Sequence, residues 1–248
     1  MTDPLAPLLT LADVAPAVAA ARDAADAAMR HRALRRQGGA VAAEVSLRSA
    51  VASAALEGYV YEREQVRDGV VTDAVVQGCL RVAAALPGLA ETWPKAPRQV
   101  LARLHTLAAR GSVDPGLLGH PVDAAAAGPR LDALAELVAG GTSAPPLVLA
   151  AVVHGELLAL APFAGPNGVV ARAAARLTLM SAGFDPRGLI APEVGHLSRQ
   201  PEYVGAAGAF ATGTPDGVRS WLRHCATAVS LGADELLAAA DTRTAPQA

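Results

Sequence analysis

Aromatic residues are scarce in this sequence: Phe, Trp and Tyr make up 3% of its 248 residues, whereas apolar residues make up 52%. The core must therefore be built mainly from Ala, Leu and Val. Ala-rich apolar runs with few β-branched or aromatic residues favour helices over strands. The sequence has no internal repeat and no alternating pattern longer than a few residues. We therefore predict an all-α fold formed by a single helical domain.

Cysteine and net charge are also low. Cys79 and Cys225 lie far apart, and neither belongs to a CxxC pair, which is typical of buried thiols in a reducing compartment. The formal net charge of −2 excludes a field that would hold nucleic acid. The sequence shows neither a signal peptide nor an uninterrupted apolar stretch of about 20 residues. We therefore expect a cytoplasmic protein that does not bind membranes, and the Ala/Arg/Gly/Pro-rich composition is typical of a GC-rich bacterial genome.

Several common catalytic motifs are missing. The sequence lacks the GxGxxG and GxxxxGK[ST] phosphate loops, and it lacks HExxH and GxSxG. His154 and Glu156 match half of the zinc deaminase signature, but the PCxxC half is absent. No metal site and no certain cofactor is predicted.

Glycine and proline divide the chain into helical segments. We predict a leader over residues 1–10 and a first helix over 11–36, which together form an N-terminal region of 1–40. Its late arginines, Arg30, Arg32, Arg35 and Arg36, suit the negative end of a helix dipole. The helical domain covers 41–240 with a core of 72–240, and 241–248 form a frayed tail. Helices are predicted at about 41–58, 72–86, 97–110, 131–138, 146–160, 169–182 and 215–240, with a loop at 111–130.

The most informative segment, LAPFAGPNGVVAR at residues 160–172, joins two of these helices. Free N–H groups at the start of the second helix, together with its dipole, make a natural anion site. Arg172 and Arg176 lie four residues apart on one face of that helix, within reach of the same end. The alternative is a plain helix-loop-helix corner that binds nothing.

This segment resembles the signature of the Fic (Fido) family of AMP-transferases, HxFx[DE]GNGRxxR. Phe163, Asn167, Gly168 and Arg172 match it in register. The resemblance implies the Fic fold, ATP with Mg²⁺ as cofactor, and phosphate binding at Asn167, Gly168 and Arg172. Arg176 lies beyond the motif and is a further phosphate-binding candidate because of its spacing from Arg172.

The flanking segments resemble the same family over about residues 40 to 240. The helix that carries His154 resembles the stretch before the motif. Glu202-Tyr203 and the segment 213–222 resemble the family's closing helices.

A second match lies upstream, where Ser53, Glu57 and Gly58 fit the inhibitory helix motif of the family, [ST]xxxE[GN]. The resemblance implies that Glu57 pairs with Arg172 and blocks the γ-phosphate of ATP. The alternative for Glu57 is a solvated helix acid. We predict a partly buried Glu57–Arg172 salt bridge beside the loop of residues 161–168.

Four positions in the loop depart from the family pattern. Ala161 stands where the family has its catalytic His, and Gly165 stands where an acid holds Mg²⁺. Pro166 replaces a glycine whose N–H would contact phosphate, and Val169 replaces the first arginine. The segment 111–130 is short for the family's target-binding hairpin, so we expect a short or absent β-flap.

Three functions remain open at this point. The first is a pseudoenzyme that acts through an unknown protein partner or a nucleotide, with weakened binding of ATP and Mg²⁺. The second is a nucleotidyl transferase with altered chemistry, autoinhibited by Glu57. The third is an unrelated helical interaction module. Whether the chain is an enzyme is undecided, and both a monomer and a homodimer are compatible with the sequence.

Overall fold

The computed structural model describes residues 3–244. In this part of the chain all regular secondary structure is helical, and there is no β-strand. The all-α prediction is confirmed. The α-helices are α1 (Val14–Met29), α2 (Ala33–Arg36), α3 (Gly38–Leu56), α4 (Arg63–Arg67), α5 (Ala74–Leu89), α6 (Pro97–Ala109), α7 (Ala124–Gly140), α8 (Pro146–Leu160), α9 (Asn167–Ser181), α10 (Pro192–Ser198), α11 (Gln200–Ala211) and α12 (Pro215–Thr244). Two short 3-10 helices cover Ala6–Thr10 and Pro115–Leu117.

Helix α8 forms the centre of the fold. Apolar residues occupy all of its faces, as is typical of a fully enclosed helix, and it packs against α7, α9, α11 and α12. Helix α12 packs extensively against α1, α10 and α11. The large buried side chains Trp93 and Trp221 are fully enclosed in this core.

Helix α3 packs along the side of this core. By length and composition alone, α3 is the one helix among the described residues that could cross a membrane. It lies against α5, α10 and α12, and 56% of its apolar window is buried inside the protein. Glu44 and Arg48 form a buried ion pair within it, at 2.8 Å. These contacts are those of a core helix in a folded domain.

The predicted first helix, 11–36, is divided into α1 and α2. Helix α1 ends at Met29, and His31 Nδ1 accepts a hydrogen bond from Ala33 N at 3.3 Å, which starts a new turn. The break lets Ala33 and Leu34 reach the core. Arg32, Arg35 and Arg36 therefore do not lie at the end of α1, and the predicted interaction with its dipole does not apply to them.

The predicted loop at 111–130 was wrong at its end, because α7 already begins at Ala124. Asp123 caps this start by accepting hydrogen bonds from the N–H groups of Ala125 and Ala126. The pair Gly128-Pro129, which predicted a break, lies inside the helix. Helix α5 likewise continues past Pro87.

Other boundaries also moved. Helix α4 was missed although Glu62 and Gln65 form a capping box at its start. The leader contains the 3-10 helix Ala6–Thr10. Residues 241–244 of the predicted frayed tail belong to α12, whereas residues 245–248 lie outside the described part of the chain.

Candidate functional site

The candidate site is the loop of residues 161–166 between α8 and α9. Helix α8 ends at Leu160, and Ala161 caps it by donating its N–H to Leu157 O at 3.0 Å. Ala161 has φ 42° and ψ 57°, a left-handed conformation that few residues other than glycine adopt. Its side chain is exposed. The position that the resemblance assigns to the general base thus presents a methyl group to solvent.

Asn167 fixes the shape of this loop. Its Oδ1 accepts a hydrogen bond from Phe163 N at 2.9 Å, and its Nδ2 donates to Phe163 O at 2.6 Å. The backbone N–H of Asn167 donates to Gly165 O at 2.8 Å. These polar groups of Asn167 therefore hold the loop closed on itself.

The segment 110–123 covers the loop but forms no hairpin within the described chain. It makes one isolated antiparallel bridge, between Pro121 and Phe163, and Val122 N donates to Pro162 O at 2.9 Å. A Cβ atom at Gly165 would come within 2.8 Å of Val113 Cγ1, and Gly165 has a φ of 78°. A metal-binding acid at this position would need both a strained backbone and a shift of Val113.

His105 of α6 ties this covering segment to the loop. Its Nδ1 accepts a hydrogen bond from Gly119 N at 2.9 Å, and its Nε2 donates to Ala164 O at 2.8 Å. The neutral tautomer with its proton on Nε2 makes both of these bonds. Its ring stacks on Phe163 with centroids 4.6 Å apart. Burial lowers the pKa of His105, which keeps that neutral form. No sequence pattern indicates this role, because both partners are backbone groups of distant segments.

We expect the substitution H105F to keep the stacking on Phe163 but to leave Gly119 N and Ala164 O without a partner. An unsatisfied buried polar group costs about 1–3 kcal/mol. The free energy of unfolding, measured with urea, should fall by about 2 kcal/mol. The neighbouring variant T106V is the control, because the Thr106 hydroxyl only bonds Ala102 O of its own helix. Equal stability of H105F and T106V would show that His105 does not clamp the loop.

Arg172 of α9 is joined to the C-terminal end of α3. Its Nη2 donates to Glu57 Oε1 at 2.8 Å and to Ser53 O at 3.0 Å, and its Nε donates to Ser53 Oγ at 3.1 Å. Its Nη1 donates to Tyr203 OH at 3.3 Å. Arg172 is 3% exposed, and the Glu57 side chain is 22% exposed. The predicted salt bridge is present. Gly58 follows Glu57 just after the end of α3 and has a φ of 92°.

The carboxylate of Glu57 lies at the start of α9. A Cβ atom at Gly168 would be 2.2 Å from Glu57 Oε1 and 2.9 Å from Arg172 Nη1, so only glycine leaves room for the pair. Negative charge is favoured at a helix N-terminus. Glu57 therefore occupies the place that the free end of α9 would offer to an anion.

Arg172 stays charged in this position. Burial alone would lower its pKa, but Tyr203 and Glu57 outweigh that effect and raise the pKa above its ordinary value. The group is thus a buried cation whose charge is balanced by one carboxylate.

Arg176, the second candidate for phosphate binding, lies one turn further into α9. Its Nη1 donates to Ser49 Oγ at 2.8 Å and its Nη2 donates to Gly188 O at 2.7 Å. The side chain is buried. Ser49 and Ser53 thus bind Arg176 and Arg172 in successive turns, and these bonds hold α3 against α9.

A buried histidine cluster extends from Tyr203 away from the loop. His154 Nε2 lies 3.0 Å from Tyr203 OH, and His196 Nδ1 lies 3.0 Å from His224 Nε2. Burial lowers the pKa of all three histidines, and their mutual proximity and Arg172 add to this for His154 and His196. His154 is therefore a neutral core residue in this structure. In the described part of the chain, no group of three His, Cys, Asp or Glu residues is arranged to hold a metal ion.

Comparison with known proteins gives the fold. No protein-family model and no curated protein matches the sequence. Among solved structures, a Fic family protein from Desulfovibrio desulfuricans G20 is similar, with a TM-score of 0.72 and 22% identity over 94% of this chain and 77% of that chain. Fic-1 (amino acids 134–508) from C. elegans has a TM-score of 0.67 and 18% identity over 96% of this chain and 76% of that chain. A point variant of the same Fic-1 fragment has a TM-score of 0.74 and 20% identity, over 94% and 74% of the two chains.

The chain therefore has the Fic fold. At these identities the likeness is one of fold, and it leaves the chemistry to the residues of the loop.

Proposed function

We propose that this chain is a Fic-fold protein without AMP-transferase activity, which acts by binding a partner rather than by turnover. The observation that carries the proposal is the exposed methyl group of Ala161 at the position of the general base. An alanine cannot accept the proton of a target hydroxyl. Loss of a general base typically lowers a rate by about 10² to 10⁴-fold.

The remaining loop positions support the same proposal. Gly165 offers no oxygen to a metal ion, and Val113 fills the space next to it. A bound metal supplies several kcal/mol of charge stabilisation in phosphoryl chemistry, and Pro166 has no N–H to donate to a phosphate. Removing these contributions together leaves no evident route to transfer of AMP.

Arg172 is also poorly placed to bind a phosphate chain. Three of its four hydrogen bonds go to Ser53 and Tyr203, which would remain if Glu57 moved away. The pair with Glu57 then serves to hold α3 against α9. This is the structural use of a contact that the family resemblance associates with inhibition.

We test the proposal with labelled ATP, Mg²⁺ and cell lysate, using the wild type and the variants E57G and R172A, with an active Fic protein in parallel. No labelled protein should appear with any form of this chain. Labelling by E57G that is lost in the double variant E57G/R172A would contradict the proposal, because it would place a working transferase at this loop.

A second candidate function is an autoinhibited transferase with altered chemistry. The position of Glu57 over the start of α9 is the observation that favours it, since the carboxylate stands where an anion would bind. The same assay decides between the two, because this candidate requires labelling by E57G.

A further inference from the structure

A second basic region lies at the start of α3. Two adjoining hollows open there, with volumes of about 630 Å³ and 830 Å³, and both are lined by Arg36 and Gln37. Arg32 and Arg35 line the smaller one, and none of the described residues in its wall is acidic. We refer to the smaller one as the arginine hollow.

The arginines of this hollow are not neutralised by the protein. Arg32, Arg35 and Arg36 are exposed, and none of their side chains makes an ion pair or a hydrogen bond with a described side chain. The larger hollow differs, because Arg67 on its wall binds Glu44 at 2.7 Å. The absence of acids is therefore a property of the arginine hollow and not of the whole region.

A fourth guanidinium group lies at the start of α3, outside the lining of the arginine hollow. Arg187 Nη2 is 2.6 Å from the point where a Cβ atom of Gly38 would be, so the guanidinium rests on the glycine that begins α3. Arg187 also lacks an ion pair within the described residues. The first turn of α3 has no acidic residue, and its positive end adds to the field of the three arginines that line the hollow.

This arrangement is unfavourable for the unliganded protein. Like charges held in one concavity repel each other. The chain contains more acidic than basic residues, so a general shortage of acids does not explain why these arginines are unpaired. Guanidinium groups are suited to phosphate because they donate two parallel hydrogen bonds to its oxygens. A ligand with several phosphate groups would remove the repulsion.

We propose that the arginine hollow binds a small molecule that carries several phosphate groups. Its volume lies within the range of small-molecule sites, about 300–1,000 Å³. No aromatic side chain is among the described residues that line the two hollows, so these residues offer no surface on which a nucleobase could stack. Recognition should therefore depend on the phosphates and not on a base. The site is separate from the loop at α9 and does not depend on the function proposed above.

The test is calorimetric titration of tripolyphosphate into the wild type, R32S/R36S and the control R103S/R110S. The control removes two exposed arginines from α6 and its end, so both variants lose the same charge. We expect binding to the wild type, at least about tenfold weaker binding to R32S/R36S, and a change of less than about twofold in the control. ATP without Mg²⁺ should bind within about threefold of tripolyphosphate, and E57G should bind as the wild type does.

Three outcomes would overturn the proposal. The first is that the wild type does not bind tripolyphosphate. The second is that R32S/R36S and the control lose the same affinity for it. The third is that the wild type binds a polyglutamate peptide but not tripolyphosphate. The second outcome would indicate unspecific attraction, and the third would indicate an acidic protein segment as the ligand. A large preference for ATP would contradict recognition through phosphate alone.

Discussion

Replacing Glu57 by alanine should lower the free energy of unfolding by about 3 kcal/mol, because it leaves the buried charge of Arg172 without its counter-ion. Breaking a buried ion pair from one side typically costs about 3–5 kcal/mol, and the partial exposure of Glu57 places this case at the lower end. For a domain of this size the melting temperature should fall by about 6 to 12 °C. Urea unfolding and a thermal melt of E57A measure both values.

The control for this prediction is E156A. Glu156 pairs with Arg130 at 2.6 Å, but both side chains are more than a third exposed. Such a surface pair contributes about 0–1 kcal/mol, so E156A should change stability little. The double variant E57A/R172M should regain part of the loss, because it removes the buried charge together with its partner. An unchanged melting temperature for E57A would show that the pair is not structural.

Acid should destabilise the protein well before its carboxylates titrate. The three clustered histidines have pKa values below the ordinary value of 6.5 because they are buried. The unfolded chain therefore binds protons below about pH 6.5 that the folded protein does not take up, and stability falls as the pH decreases. His154 and His196 have pKa values lowered well below 6.5, and each of them that stays neutral at pH 5 lowers the free energy of unfolding by about 2 kcal/mol. His224 acts in the same direction, with Glu202 offsetting part of its shift.

This prediction is measured by urea unfolding at several pH values between about 7.5 and 5. The variant H224Q should reduce the pH dependence, because one of the three groups no longer titrates in the unfolded chain. The control H120Q removes an exposed histidine and should leave the pH dependence of stability unchanged. Burial raises the pKa of Asp185 above its ordinary value of 3.8, so proton uptake by this carboxyl in the folded protein acts in the opposite direction and offsets part of the histidine effect. Stability that is constant from pH 7.5 to 5 would contradict the burial of the cluster.

The sequence predicted those features that depend on composition or on short motifs. Scarce aromatics and Ala-rich runs were sufficient for the all-α fold. The motifs around Glu57 and Arg172 were sufficient for a contact between residues 115 positions apart. Both signals are local, even though the contact itself is not.

The features that the sequence did not predict depend on contacts between distant segments. His105 bonds backbone groups of two other segments, and no side-chain pattern records this. The left-handed backbone of Ala161 is imposed by the loop and not by the alanine itself. The start of α7 is a local exception: Gly128-Pro129 indicated a break, and the cap by Asp123 was not recognised in the sequence.

The most direct test of the central proposal is a calorimetric titration of ATP with Mg²⁺ into R32S/R36S and into R32S/R36S/E57G. The shared substitutions remove the arginine hollow, so the two proteins differ only at the start of α9. We predict that removing Glu57 adds no binding of ATP, because Gly165 offers no metal ligand, Pro166 no N–H and Val169 no positive charge, and Arg172 remains bonded to Ser53 and Tyr203. Binding that appears or tightens when Glu57 is removed would contradict this, and would show that the loop is a guarded nucleotide site.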